Sequence, residues 1–214
     1  MGLRLLPFRQ YDENDVINIF ALDSDAALAN TTDDGSGSNG VFVKVSDGNF
    51  DQDVITYSND SYLGKTDFPF VGSDMYPSNP LTVTPAVSGD IPLGITLNQT
   101  AKADENGEKL LYNPTKKEEL QAVLPGQSVP VATKGIFTFS SNAFNGPVAG
   151  YTIGSTVQID FATAGTITGG DGALAAGTSG DFGIVIGTGS RNGGSGTAPV
   201  ADQFSGEFLV LKIG

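Results

Sequence analysis

The sequence predicts an all-β protein, a small β-barrel or sandwich with an extended N-terminal arm and long loop insertions. The 214 residues include 29 Gly and 11 Pro and only 16% are charged, which suits many turns rather than long helices. Short β-branched and aromatic segments recur between turn signals along most of the chain. A chain of this length fits one all-β domain or two small ones, and it buries roughly 70% of its unfolded surface.

The N-terminal half begins with a segment that has two interpretations. Residues 2–11 mix Leu, Pro and Phe with Arg4 and Arg9, and form the only locally basic, apolar stretch in an acidic protein. They fit a core strand, or an extended arm that docks on a partner, since a terminus is free unless it is tied down. Further strands are predicted from β-branched content at residues 16–22, 40–45, 54–57, 81–84 and 91–97.

The C-terminal half shows a more regular succession of strands and turns. Residues 155–161 alternate apolar and polar side chains, which is typical of a half-buried strand. Residues 182–186 are continuously apolar and predict a central strand. The best helical candidate is 115–122, where Thr115 and Glu118 have the spacing of a capping box. Other strands are expected at residues 120–124, 128–133, 136–139 and 208–213.

Polar and Pro-rich stretches suggest the domain organisation. We expect residues 1–38 to form the N-terminal arm and loop, and residues 39–214 to form the β-barrel domain, with insertions near 58–88 and 98–118. The 58–88 stretch carries four prolines and is long for a loop, and loops of that length are usually functional or contact-making.

Residue types that the chain lacks exclude several kinds of chemistry. There is no His, Cys or Trp, which excludes Ser–His triads, Cys–His dyads, disulfides and most zinc sites. We therefore expect a protein that is not an enzyme and uses no cofactor or metal. The formal net charge of -13 disfavours nucleic acid and anionic membranes as partners and favours basic protein surfaces.

Targeting signals are also absent from the sequence. No stretch approaches the roughly 20 apolar residues of a membrane helix. The first residues do not form a secretory signal, because Arg4 and Pro7 interrupt their apolar run. We expect the protein to act in the cytosol where it is made, or in a particle assembled there.

Several motif-like segments are interpreted as loops or turns. Residues 64–66 (GKT) end like a phosphate-binding loop, but Asn59 stands where that loop needs its first Gly. Residues 35–40 match a dinucleotide-binding fingerprint, but a strand follows where a helix is required. Acidic clusters at 47–53 and 104–108 offer oxygen ligands for Ca²⁺ without the spacing of an EF-hand, and each predicts a solvated turn.

The order of strands and turns supports a family resemblance. Around residues 126–139, a Gly turn leads into a Val-rich strand and then into a strand of the form G-x-F. This succession resembles the small β-barrel of tailed-phage capsid decoration proteins, also called cement or head-stabilising proteins. It covers most of the chain without a catalytic signature. The segments that carry it are GVFVKV at 40–45, PLGITL at 92–97, LPGQSVPVATKGIFTF at 124–139, YTIGSTVQID at 151–160, DFGIVIG at 181–187 and EFLVLKI at 207–213.

The resemblance implies a virion structural protein on the outer surface of a capsid that assembles in the host cytoplasm. Its expected partner is the major capsid protein, and its expected role is to stabilise the shell by bridging neighbouring subunits. Members of the family often form homotrimers at local three-fold positions. The alternatives are a tail, baseplate or head-fibre component, or a carbohydrate-binding or adhesion module.

The expected partner contacts lie in the N-terminal segment and in the 58–88 loop. Arg4 and Arg9 would pair with acidic groups of the partner. Phe68 and Phe70 are a second contact candidate, and the sequence fits equally well with these two residues as a buried anchor of the loop. Deleting residues 2–11 is expected to leave a folded protein that binds shells at least about tenfold more weakly. The expected apolar anchors are Leu3, Leu5, Leu6, Phe8 and Tyr11.

Overall fold

The structure is a computed structural model, and strands dominate it. This confirms the all-β prediction. It describes residues 4–22, 39–51, 56–57, 77–86, 90–101, 103–104, 106–124, 126–141, 143–144, 147–159, 174–176, 182–191 and 206–214.

The described elements follow one another along the chain with one short α-helix among them. The strands are β1 Leu5–Gln10, β2 Val16–Ile17, β3 Ala21–Leu22, β4 Phe42–Asp47, β5 Thr56–Tyr57, β6 Pro77–Ser78, β7 Thr82–Pro85, β8 Gly94–Thr96, β9 Gln99–Thr100, β10 Ala122–Val123, β11 Val131–Ala132, β12 Gly135–Ser140, β13 Thr156–Ile159, β14 Leu174–Ala176, β15 Gly183–Arg191 and β16 Gly206–Ile213. The helix α1 is Pro114–Glu119, and 3₁₀ turns lie at Glu13–Asp15, Leu110–Tyr112 and Val148–Gly150.

Two six-stranded sheets organise these strands. Sheet 1 has the order β1-β12-β16-β15-β13-β14, and every pair in it is antiparallel. Sheet 2 has the order β2-β11-β8-β4-β7-β3, with only its last pair, β7 and β3, parallel. Two short pairs, the parallel β9–β10 and the antiparallel β5–β6, complete the described strands.

Sheet 2 is strongly curled. Its end strands β2 and β3 are separated by only three residues of chain, so the two ends of the sheet must approach each other. An isolated bridge joins Ala21 to Ser128, and the backbone N–H of Val129 donates to the Phe20 carbonyl at 2.9 Å. The strand ladder itself stays open, so the barrel is not closed. The single strand predicted over residues 16–22 is two short strands with an irregular link.

The alternation of side chains along β4 places the two main cores. Val43 points into the curl of sheet 2, in a cluster with Phe20, Val83 and Val131. Phe42, the residue before Val43 on the strand, points the other way and belongs to the core shared with sheet 1. Sheet 1 therefore packs against the outer side of the curled sheet 2, which is the sandwich of the two predicted forms. The shared core includes Leu5, Phe42, Ile95, Phe137, Phe139, Val157, Val185, Leu209 and Leu211.

The N-terminal segment is part of both sheets. Strand β1 pairs with β12, and Leu5 is only 1% exposed in the shared core. Strands β2 and β3 then join sheet 2. Over Leu5–Gln10 the core-strand alternative therefore describes the segment, and a free arm does not. Deleting residues 2–11 would remove β1, so we no longer expect the deleted protein to keep its full stability.

Residues near the predicted 98–118 insertion form a small unit with its own core. The pair β9–β10 and helix α1 surround Ala101, Leu110, Ala122 and Leu124. The helix cap differs from the prediction: Asn113, and not Thr115, lies at the cap, and its Oδ1 accepts from the Lys116 backbone N–H at 3.3 Å. Pro114 follows at the first helical position, where its missing N–H costs nothing.

The other predicted insertion is described only in part. Of residues 58–88, the described stretch 77–86 contains β7, which is a regular strand of sheet 2. Phe68 and Phe70 lie outside the described residues. No helix in the described part of the chain is long and apolar enough to span a membrane.

Candidate partner-binding surface

Strand β1 is the end strand of sheet 1 and carries a bulge. Leu5 pairs with Phe139 and Arg9 pairs with Phe137. Between these two pairs, β1 therefore has two more residues than β12. Pro7 and Phe8 lie in the bulge, where a Pro that cannot donate to the ladder is tolerated. Phe8 is 64% exposed there, which is high for a large apolar side chain.

The predicted contact residues separate into buried and accessible groups. Arg4, Leu5 and Leu6 are at most 7% exposed, so they are packed within this chain and leave the candidate surface. Phe8, Arg9 and Tyr11 remain accessible to different degrees. Leu3 lies outside the described residues, as do the two loop phenylalanines.

Tyr11 directly follows β1 and packs on Phe137 of β12. Its ring stacks on Phe137 with centroids 5.7 Å apart and planes 19° apart, while 39% of the residue stays exposed. Gly135 lies beneath it with φ +140, and a Cβ at Gly135 would lie 2.8 Å from both the Gln10 carbonyl oxygen and Tyr11 Cβ. The absence of a side chain at position 135 therefore allows β1 and Tyr11 to pack closely on β12.

An open groove of about 860 Å³ lies beside Tyr11, between the link from β1 to β2 and helix α1. We call it the β1 groove. Four separate parts of the chain contribute to it: the segment from β1 to just after β2, the residues after β8, α1 with its C-terminal turn, and the residue before β11. Its lining residues are Arg9, Tyr11, Glu13, Val16, Asn18, Leu97, Asn98, Glu118, Gln121 and Pro130.

The β1 groove is polar and mixed in charge. Arg9 is the one cation among its lining residues, which also include the carboxylates of Glu13 and Glu118. Asp12 lies between Tyr11 and Glu13 in the chain, and its side chain accepts from the Asn14 backbone N–H at 2.9 Å and caps the 3₁₀ turn. Amide side chains of Asn18, Asn98 and Gln121 supply donors and acceptors. Such a lining suits the binding of a polar protein segment or of a ligand that is rich in hydroxyl groups.

Part of this groove was outside the reach of sequence reasoning. Arg9 and Tyr11 were predicted as contacts, but Asn18, Asn98 and Gln121 were not. These three come from distant segments that meet only through the pairing of β2 with β11 and of β9 with β10. No local sequence signal marks them.

The two acidic clusters form turns that use their own backbone as partner. Asp104 Oδ1 accepts from the N–H groups of Glu108 at 2.8 Å and Asn106 at 2.9 Å. The Glu108 N–H is the main reason that the pKa of Asp104 lies below its ordinary value, with Asn106 and the charge of Lys116 adding to the effect.

The cluster near Asp47 is similar. Asp47 Oδ1 accepts from the Asn49 N–H at 2.9 Å, and Asn49 Oδ1 accepts from the Asp51 N–H at 3.0 Å. Among the described residues, no group of three His, Cys, Asp or Glu could hold a metal ion. The described acidic side chains therefore order their loops through hydrogen bonds.

Comparisons with known proteins leave the surface to be interpreted from its own geometry. No family model, no curated protein and no solved structure matches this chain.

Proposed function

We propose that this protein is a non-enzymatic structural protein of a virion. In this proposal it binds the outside of the assembled capsid shell, contacts the major capsid protein, and stabilises the shell by bridging neighbouring subunits. The observation that carries the proposal is the β1 edge, where the 64% exposed Phe8 stands next to the β1 groove with Arg9 and Tyr11. Exposed aromatics and an Arg are the residue types that most often dominate protein interfaces.

The form of this edge favours recognition by side chains. The bulge at Pro7 and Phe8 interrupts the ladder of β1, which discourages open-ended pairing with strands of other molecules. Phe8 is instead presented from the bulge, and Tyr11, which directly follows β1, is ordered by its stacking on Phe137. A rigid contact loses little conformational entropy on binding, so a small contact area can give useful affinity.

The rest of the molecule supports a structural role. The two packed sheets form a stiff body, and the net charge of -13 limits non-specific association. Self-association as a homotrimer, which we include in the proposal, would raise the effective concentration of each contact at a repetitive shell. The succession of strands that resembles capsid decoration proteins supports the same assignment.

The test is co-sedimentation of the purified protein with mature capsids that have been stripped of accessory proteins. We expect saturable binding to shells and no binding to free capsid subunits. Phe8→Ser should weaken shell binding at least about tenfold, because most of an apolar side chain would no longer be buried at the contact.

Phe50→Ser is the matched control, because Phe50 is 68% exposed and lies in the turn after β4, away from the β1 edge. It should bind as the unchanged protein does. Absence of shell binding by the unchanged protein would refute the proposal. An equal loss of shell binding in both variants would show that the β1 edge is not the contact surface.

The amide-rich lining favours one second candidate, a carbohydrate-binding or adhesion module. Asn18, Asn98 and Gln121 could hydrogen-bond sugar hydroxyls, with the Tyr11 ring beside them. Binding to a glycan array that is lost in an Asn98→Ala variant, without binding to shells, would support this candidate over the first.

A further inference from the structure

Two Asn–Gly pairs with the same reactive groups lie in very different surroundings. Asparagine is a thermolabile residue, and a following glycine leaves the next backbone nitrogen unhindered for attack on the asparagine side chain. The chain has four Asn–Gly pairs, and two of them, Asn39–Gly40 and Asn106–Gly107, lie within the described residues. Comparing these two pairs separates the intrinsic chemistry of the dipeptide from the protection that the fold gives.

The reaction in question is deamidation. The Gly107 backbone nitrogen loses its proton and attacks Cγ of the Asn106 side chain. The new N–Cγ bond closes a five-membered cyclic imide, while the Cγ–Nδ2 bond breaks and ammonia leaves. Water then opens the imide at either of its carbonyl carbons. The products are aspartate and isoaspartate, and water is the one co-reactant that the balance requires.

Asn39–Gly40 is fixed where the start of β1 meets sheet 2. Gly40 is buried, and its N–H, the nitrogen that would attack, donates to the Thr96 carbonyl at 2.7 Å. Asn39 Oδ1 accepts from the Leu5 N–H at 3.4 Å, and a Cβ at Gly40 would lie 3.1 Å from Leu5 Cβ. Leu5 belongs to the shared core. Reaction at Asn39 therefore requires an opening that disrupts the shared core.

Asn106–Gly107 lies instead in an exposed turn, between Ala103 and Lys109, which an isolated bridge joins. Both residues of the pair are exposed, and a Cβ at Gly107 would meet nothing within 4 Å. Reaction at Asn106 therefore requires only that this turn opens. Exposed turns of this kind belong to the parts of a protein that open at the lowest free-energy cost.

Asp104 holds both reacting groups of this turn. Its backbone carbonyl accepts from the Gly107 N–H at 3.1 Å, which occupies the attacking nitrogen. Its carboxylate accepts from the Asn106 and Glu108 backbone N–H groups and also hydrogen-bonds to the Asn106 side chain. The same carboxylate repels the negative charge that develops on the side-chain oxygen during attack. Each of these contacts slows the cyclisation.

We propose that Asn106–Gly107 is a site of spontaneous deamidation whose rate is limited by Asp104. This inference goes beyond the proposed function and does not depend on it. Deamidation adds a carboxylate next to that of Asp104, and two like charges at this distance repel each other. In isoaspartate, one additional main-chain carbon separates residues 106 and 107, which displaces the N–H groups that bind Asp104.

The modification would reach beyond the turn. Leu110 follows directly after the bridge residue Lys109, and it is 1% exposed in the small core that also contains Ala101 and Leu124. This unit supplies the part of the β1 groove that α1 and the residues after β8 contribute. Deamidation in its turn therefore loosens one wall of the groove.

The test is incubation of the full chain at mildly alkaline pH, where the backbone nitrogen loses its proton more readily. Peptide mapping by mass spectrometry then measures conversion at each Asn, with isoaspartate detected by enzymatic methylation. In the native protein, Asn106 should convert at least about tenfold faster than Asn39, because the two openings differ in free energy by at least that factor. In denaturing urea the two rates should become similar.

Asp104→Ala should raise the rate at Asn106 at least about tenfold and leave Asn39 unchanged, because charge-assisted hydrogen bonds and a repelling charge are lost. Asp47→Ala is the matched control, since Asp47 orders a different exposed turn through the Asn49 N–H. It should change neither rate. If Asp104→Ala unfolds the chain, which faster conversion of Asn39 would reveal, Asp104→Asn replaces it. That variant keeps an oxygen acceptor and should give a smaller acceleration confined to Asn106.

Equal rates at Asn106 and Asn39 in the native protein would overturn the proposal. So would an unchanged rate at Asn106 in the folded Asp104 variant, or an equal acceleration by Asp47→Ala. The experiment uses the protein alone, so failure of shell binding would refute the proposed function without affecting this result.

Discussion

The contact between the two sheets gives the sharpest prediction about stability. Phe42 of β4 is fully buried, stacks on Phe139 of β12 with centroids 5.6 Å apart, and lies 4.9 Å from the ring of Phe182. Replacing Phe42 by Leu keeps the site apolar but removes both ring contacts. We expect the free energy of unfolding to fall by about 1–3 kcal/mol, from imperfect repacking and lost aromatic pairing.

A double-mutant cycle isolates the contact between the sheets. Phe42→Leu and Phe139→Leu should be non-additive by about 0.5–1.5 kcal/mol, because the second change removes a ring that has already lost its partner. Val43→Ala is the control for Phe42→Leu, since Val43 follows on the same strand but faces the inside of sheet 2. Its effect should add to that of Phe139→Leu within about 0.5 kcal/mol.

The assay is urea unfolding followed by circular dichroism at a fixed protein concentration, which keeps any self-association constant across variants. A coupling energy near zero for Phe42 and Phe139 would refute the packing of sheet 1 on the outer side of sheet 2. The same conclusion would follow if Val43 and Phe139 were coupled as strongly.

Three further predictions concern single positions. Gly135→Ala should destabilise the protein by about 1–3 kcal/mol in urea unfolding, since φ is +140 and the Cβ would lie 2.8 Å from the Gln10 carbonyl oxygen; an unchanged midpoint would contradict the close packing of β1 on β12. Thr138→Val should leave the midpoint unchanged or raise it, because the Thr138 hydroxyl is buried and has no hydrogen-bond partner among the described residues; clear destabilisation would reveal one. Asp104 has a lowered folded pKa, so its stabilising effect is complete above the ordinary value of 3.8 and is lost as the pH falls through the folded pKa. Asp104→Asn should therefore be less stable than the wild type at neutral pH and match it in strong acid, and a difference independent of pH would contradict the assignment.

The regular elements of the sandwich were predictable from local patterns. Apolar residues alternate in β13, where Val157 and Ile159 are buried and Gln158 is exposed. Strands β4, β12 and β16 also follow their predicted positions closely. In β13 and β16 one face of the strand is buried in a core and the other is more exposed, so the period of two is visible in the sequence.

Features that depend on distant pairing were less accessible. The bulge in β1 conceals its alternation, because two extra residues separate Leu5 from Arg9, and a free arm fits the same residues. The apolar run at 182–186 correctly predicted an interior strand, but not that Ile184 and Ile186 are exposed. Of the candidate site, Phe8, Arg9 and Tyr11 were predicted because they are apolar or basic in an acidic chain. Asn18, Asn98 and Gln121, which other segments contribute to the groove, do not stand out from the rest of the chain in this way.

The position of β12 between β1 and β16 has a consequence for how the chain reaches its native state. Phe139 pairs with Leu5 on one side and with Leu209 on the other, so sheet 1 unites segments from opposite halves of the chain. At a synthesis rate of about 5–20 residues per second, β1 waits on the order of ten seconds for β12 to be made. Sheet 1 then stays incomplete until β16 is made, because β16 joins β12 to β15. Folding dominated by such distant pairings is slow, and unpaired strands are exposed meanwhile. The net negative charge of the chain limits non-specific association of these unfinished chains with one another.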